Sequence, residues 1–270
     1  MTPAGLRLRS CVHTIEDGAR FDVRGAVHRA DGSTYLIPAC AEAAPPRRHV
    51  KSLLPDDDGW VEAALSNAPT GQVFSNISAA WTVPAAPTGS YGAGQVFYTF
   101  PGLQDSVYVL QTVLQYGANA FYGGNYWTIT SWYCGPTCLY STPVRVSVGD
   151  QLTGQVSSSS CGTVTCLWTM STLDITASTH TNLTWTDTNN YTQVVGGAIE
   201  VYGLTSCNQF PDSAISYGLD NIEYYGGTLA TFNWFAYYDS DNDPACSFSV
   251  DPDSAFFINL WLPKIILHEN

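Results

Sequence analysis

Apolar and polar residues alternate with period two along much of this 270-residue chain, the spacing of strands with one buried face. "VRVSVGD" puts Val144, Val146 and Val148 on one face and turns at Gly149-Asp150. "QVFYTF" and "YWTITSWY" are β-branched and aromatic throughout, the side chains that fit a pleated surface. No long stripe at i, i+3, i+4 spacing marks a helix, and no fixed period marks a repeat. Many strands, short polar turns and glycine punctuation predict an all-β fold, an antiparallel sandwich or barrel.

The pattern changes near residue 67. Before it, "RFDVRGAVHRADGSTYLIPAC" alternates and turns at Asp31-Gly32, a hairpin signal. Then "AEAAPPRRHVKSLLPDDDGW" carries Pro-Pro, a basic patch and an acidic triplet, the features of a linker open to proteolysis. This divides the chain into a small β-rich N-terminal unit plus linker, residues 1–66, and a β-sandwich body, residues 67–270.

Two segments place unusual polar residues in strands. In 107–116, Val107, Val109, Gln111, Val113 and Gln115 share one face, and Tyr108, Leu110, Thr112, Leu114 and Tyr116 share the other. The second set makes the better core, so Gln111 and Gln115 point to the outer, concave face of a sheet. In "GGAIEVYG", 196–203, Ile199 and Val201 point inward, and Ala198, Glu200 and Tyr202 point the other way. A strand glutamate is more often solvated than catalytic, but a Glu and a Gln on one concave face invite a chemical reading.

Charge and cysteine narrow the class. Charged residues are only 12% of the chain, against ~25% in an average globular protein. Arg7, Arg9, Arg20, Arg24, Arg29, Arg47, Arg48 and Lys51 crowd the N-terminal part, whereas from residue 67 onward 14 Asp and Glu face only Arg145 and Lys264. The acidic body argues against nucleic acid and suits work in acid; the basic head complements it. Eight cysteines read as disulfides of an oxidising compartment. Cys134 with Cys138 and Cys161 with Cys166 could each close a local loop, leaving Cys11 with Cys40 and Cys207 with Cys246 as the natural remaining pairs. Spacing alone does not prove that connectivity. Zinc is the weaker reading, since no histidine neighbours either close pair. Sequons stand at Asn76, Asn182 and Asn190. The start "MTPAGLRLRS" lacks the apolar core of a secretory leader, and no segment is long enough to span a membrane. The expectation is a secreted monomeric glycoprotein that needs no metal or cofactor.

"SAAWTVP", 78–84, "GLQDSVYVLQTV", 102–113, "YWTITSWY", 126–133, "VSVGDQLTGQV", 146–156, and "GGAIEVYG", 196–203, resemble in their order the motifs of the glutamic peptidases, the eqolisin family. The resemblance spans roughly residues 72 to 235. It implies a concanavalin A-like jelly roll, secretion as a zymogen whose basic N-terminal piece is removed in acid, and an acid endopeptidase acting on protein or peptide. The Gln of "LQT" is Gln111 and the late-strand Glu is Glu200, the implied catalytic pair. A glutamate can act as general base toward water and then return the proton to the leaving amine. A glutamine amide can donate to the oxyanion of the tetrahedral intermediate. Histidines 13, 28, 49, 180 and 268 form no cluster with an obvious nucleophilic serine.

The departures from the family bear on this chemistry. Gln104, in "GLQD", stands where the family has Asp in a "GIDG"-like turn; Gln115 stands where another Asp follows the catalytic Gln; Val113 replaces a Gly. Either the pH profile is altered, or the site binds rather than cleaves. Gln104 and Gln115 are therefore read as supporting residues, with Trp81, Tyr98, Trp127, Trp132 and Tyr202 as aromatic candidates for contact with substrate. Trp127 and Trp132 fall on opposite faces of one strand, so at least one belongs to the core. The competing class is a carbohydrate-binding, lectin-like module that grips glycans with these aromatics. A polysaccharide lyase ranks lower, because the body holds so few cations. A purely structural role comes last, with "DSDND", 239–243, read as an acidic turn before a calcium loop.

Overall fold

The structure, a computed structural model, describes residues 1–40, 59–162, 165–187, 190–230, 232–238, 246, 248–254 and 257–261. Its strands run β1 (Val12–Ile15), β2 (Arg20–Phe21), β3 (Ala26–His28), β4 (Thr34–Leu36), β5 (Trp60–Asn67), β6 (Phe74–Thr82) and β7 (Val96–Gln104). They continue with β8 (Val109–Ala118), β9 (Gly123–Cys134), β10 (Cys138–Ser141), β11 (Val144–Arg145), β12 (Gln151–Ser159), β13 (Cys166–Asp174) and β14 (Thr179–Asp187). The last are β15 (Gln193–Tyr202), β16 (Ile215–Leu219), β17 (Glu223–Tyr224), β18 (Thr228–Leu229), β19 (Phe235–Tyr238), β20 (Ser249–Ser254) and β21 (Phe257–Trp261).

These strands form a sandwich of two sheets. The first follows the order β1-β10-β9-β8-β7-β15-β5-β19, and the second β20-β21-β16-β6-β12-β13-β14-β2-β3-β4. Between them lie Trp81, Phe97, Leu110, Leu114, Trp127, Trp168, Met170, Ile199 and Tyr217, all buried. This is the alternation of the sequence made physical: Leu110 and Leu114 face the other sheet, while Val109 and Val113 belong to a separate apolar cluster on the outer face of the first sheet. Hydroxyl pairs tie the layers, Thr99 to Tyr217 at 2.6 Å and Ser131 to Thr181 at 3.0 Å.

Two features depart from the sequence reading. Trp60–Asn67, read from the sequence as the end of the linker, forms β5 between β15 and β19. The N-terminal unit also completes both sheets. β1 pairs in parallel with β10, and β2 pairs in parallel with β14, so the sheets are mixed rather than wholly antiparallel. Phe21 stacks on Trp185 at 4.3 Å, which seats the unit by aromatic burial. The linker 41–58 and the turn 239–243 lie outside the described residues.

All eight cysteines are paired: Cys11–Cys40, Cys134–Cys138, Cys161–Cys166 and Cys207–Cys246. This pattern fits an oxidising compartment. Of the three sequons, Asn76 is buried in β6 with its amide donating to the Asn221 carbonyl at 2.9 Å, which leaves it unfit as a glycan acceptor. Asn190 is exposed. Among the described residues, no helix is long and apolar enough to cross a membrane.

Candidate active site

The outer face of the first sheet carries the polar residues that the sequence singled out. β7 is flanked by β8 and β15. Tyr98 is in register with Gln115 on one side and with Glu200 on the other. Further along, Gly102 is in register with Gln111 and with Val195. At the end of β7, Gln104 is in register with Gln193, and their amides hydrogen-bond. Gln193 in turn donates to Asn67 at 2.7 Å.

A bulge puts Glu200 on this face. β15 carries one extra residue between Val195 and Ala198 relative to β7. A one-residue shift exchanges the two faces of a strand. Gln193 and Val195 point outward before the bulge, and Ala198, Glu200 and Tyr202 after it. Gly196 and Gly197 fit there because a Cβ at Gly196 would come within 2.8 Å of Trp234, and one at Gly197 within 2.6 Å of Tyr217.

Gln111 and Glu200 are both 0% exposed. Gln111 has no hydrogen-bond partner for either amide atom among the described residues. Buried amides are rarely left so, because the lost hydration is not replaced. The Glu200 carboxylate accepts a hydrogen bond from the Tyr202 hydroxyl through Oε1. Within the strands of this face, among the described residues, Glu200 is the only carboxylate.

Gln115 is occupied differently. Its Nε2 donates to the Gly117 carbonyl at 3.0 Å, and its Oε1 accepts from Asn119 at 3.0 Å. Asn119 also donates to the Tyr98 hydroxyl at 3.2 Å, and its Oδ1 accepts from the Phe121 and Tyr122 amides at 2.8 and 2.9 Å. The β8–β9 turn is thereby folded over the sheet. Tyr122 accepts from Trp132 Nε1 at 2.9 Å, and Trp132 stacks on Tyr140 at 4.7 Å. Burial pushes the Tyr98 and Tyr122 hydroxyls well above the ordinary tyrosine range. Asn119, Tyr122 and Tyr140 were not legible as site residues, although an Asn in a glycine-rich hairpin is a turn signal.

The aromatic candidates divide. Tyr98, Trp132 and Tyr202 lie in the outer-face cluster. Trp81 and Trp127 do not; both lie in the inter-sheet core, against Tyr217 and Phe97 respectively. Trp81 belongs to the other sheet, and Trp127 lies an odd number of residues from Trp132 on one strand, so neither can reach this face.

The face is covered by the chain itself. Thr2 and Pro3 are buried, Met1 and Ala4 pack against the outer-face cluster, and Thr2 Oγ1 lies 3.9 Å from Cys138 Sγ. Burial lowers the Met1 amino group's pKa, while the Glu200 charge acts to raise it. Met1 to Ala4 therefore pack on this face, with the Met1 amino group within electrostatic reach of Glu200. Among the described residues no group of three His, Cys, Asp or Glu could hold a metal ion.

No protein-family model matches the chain, and no curated protein does. Solved structures do. Scytalido-glutamic peptidase with a transition state analog inhibitor is 16% identical, with 76% of this chain covering 98% of that one at a TM-score of 0.51. The same enzyme with a peptide-based transition state analog is 15% identical at the same coverage, with a TM-score of 0.52. The chain shares its fold with scytalido-glutamic peptidase. At this identity the likeness is one of architecture.

Gln111 and Glu200 lie on one face, two strands and four residues apart, about 16 Å between backbones at ordinary sheet spacings.

Proposed function

We propose that this chain is a secreted acid endopeptidase of the glutamic type, with Glu200 as general base and Gln111 as oxyanion donor. The observation that carries the reading is the buried Gln111 amide, without a hydrogen-bond partner among the described residues, on the face that Glu200 occupies. An extended peptide would lie across the first sheet's outer face with its scissile carbonyl between the two side chains. Glu200 takes a proton from water as the water oxygen attacks the carbonyl carbon. The oxyanion accepts a hydrogen bond from the Gln111 Nε2–H. Glu200 then gives the proton to the leaving nitrogen, and the C–N bond breaks. Tyr98 and Trp132 line the substrate path, and Gln115 holds the β8–β9 turn rather than the substrate.

Residues 1–40 act in this reading as a prosegment, and residues 1–5 occupy the substrate's place over Glu200. Release needs a cut in the 41–58 linker. A cut as late as residue 66 would destroy β5, so productive processing stops before residue 60.

The test is cleavage of an unfolded protein across pH 2 to 7, by the full chain and by the chain cut after residue 58, each beside Glu200→Gln. Acid-dependent cleavage that falls at least ~100-fold in Glu200→Gln supports the base. No cleavage by either form at any pH overturns the reading and turns attention to glycan binding.

A further inference from the structure

We propose that Tyr202 is a positioning residue for Glu200, setting the orientation and the acidity of the carboxylate; this rests on the glutamic-peptidase reading of the site. Tyr202 lies two residues beyond Glu200 on β15, on the same face and buried. Its hydroxyl donates to Glu200 Oε1, which fixes the carboxylate's rotation and makes its two oxygens inequivalent. Oε1 accepts the phenol's hydrogen bond.

The phenol is itself held in place. Its ring meets Tyr98 edge-on at 6.3 Å and rests on Gly59, where a Cβ would come within 2.6 Å of the ring. Gly59 has φ +74°, and its carbonyl accepts from the Val201 amide at 2.7 Å. Only glycine suits that backbone and that contact. The strand that carries Glu200 thus pins the residue that seats Tyr202.

The surroundings make this bond matter. Among the described residues, the other titratable groups on this face are Tyr98 from β7, Tyr122 from the β8–β9 turn, Tyr237 from β19 and the Met1 amino group from the N-terminal segment. Glu62, on β5, points to the opposite face. Among the described residues no second carboxylate in the strands of this face can share a proton with Glu200, and Gln104 and Gln115 cannot. A hydrogen bond donated to the charged form favours that form. The hydroxyl of Tyr202 therefore favours the ionised form of Glu200 relative to the same buried carboxyl without that bond.

The experiment uses the full chain labelled with carbon-13 at the glutamate carboxyl carbons. The chain has six glutamates: 16, 42, 62, 200, 223 and 269. Glu200 is assigned by the signal lost in Glu200→Gln. Tyr202→Phe is expected to raise the Glu200 titration midpoint by about one unit. The acid limb of kcat moves up with it, while KM changes little. Fluorotyrosine at position 202, a stronger donor of similar shape, is expected to lower the midpoint. An unchanged midpoint in folded Tyr202→Phe, or both replacements shifting it in the same direction, overturns the proposal. If Tyr202→Phe does not fold, fluorotyrosine decides alone, and the absence of a downward shift overturns it. Should the chain cleave nothing, the peptidase reading fails, while the titration still decides the coupling of Tyr202 to Glu200.

Discussion

Glu62 and Glu200 lie on neighbouring strands and face opposite sides of one sheet. Glu62 is in register with Ile199, and Glu200 with Trp60, because β5 carries an irregularity at Val61. That extra residue brings Trp60 beside Glu200, while Glu62 faces the inter-sheet core with Ala64, in regular alternation with Ala63 and Leu65. The two carboxylates are separated by the sheet itself.

Glu62 sets a pH limit on stability. It is fully buried, and neither oxygen has a hydrogen-bond partner among the described residues. Burial pushes its carboxyl from an ordinary 4.5 up to about 9. The folded chain binds this proton more tightly than the unfolded chain, so the contribution is intact below 4.5 and is lost as pH rises toward 9. By pH 7 the loss is about 3 kcal/mol. Glu62→Gln is expected to match the wild type in urea unfolding at pH 4 and to exceed it by about that amount at pH 7. Equal stability at both values would show that Glu62 has a compensating partner.

Gln111 is expected to separate activity from stability. Its amide makes no hydrogen bond among the described residues, so Gln111→Met removes an unsatisfied polar group while roughly conserving volume. Thermal stability is expected to hold or rise, while kcat falls ~100- to 1,000-fold through the lost oxyanion donor. Retained cleavage would remove Gln111 from the chemistry.

Gln115 is expected to behave in the opposite way. Its amide secures the turn that carries Phe121 and Tyr122. Gln115→Ala leaves Asn119 without one partner and is expected to cost about 1–3 kcal/mol. Hydrogen exchange of the 118–122 amides is expected to quicken. Unchanged exchange would show that Asn119 holds the turn alone.

Strong acid is expected to loosen the N-terminal unit. Burial pushes the Asp22 carboxyl up, but hydrogen bonds from His28, Ala26 and Arg24 outweigh this and bring it to about 2. A lowered pKa contributes stability above 3.8 that is lost as pH falls through about 2, on the order of 2 kcal/mol. The Phe21–Trp185 stack is the reporter. Tryptophan quenching by acrylamide is expected to increase between pH 4 and 2 in the wild type. Asp22→Asn should show that quenching already at pH 5; identical profiles would exclude Asp22 as the cause.

Alternation alone determined much of this protein. Period-two patterning specified the class, separated Leu110 and Leu114 from Gln111 and Gln115, and put Trp127 and Trp132 on opposite faces, because side chains on a strand can point only two ways. Cysteine spacing suggested the pairs that the structure contains. Tertiary structure decided what periodicity cannot encode. Bulges at Gly196 and Val61 chose the faces of Glu200 and Trp60, since one extra residue inverts a strand and leaves no mark in composition. Two similar glutamines on one face came to differ only when the β8–β9 turn closed on Gln115 and left Gln111 without a hydrogen-bond partner among the described residues. The N-terminal unit became an edge of both sheets through contacts with strands more than a hundred residues away, and local sequence carries no trace of such pairings.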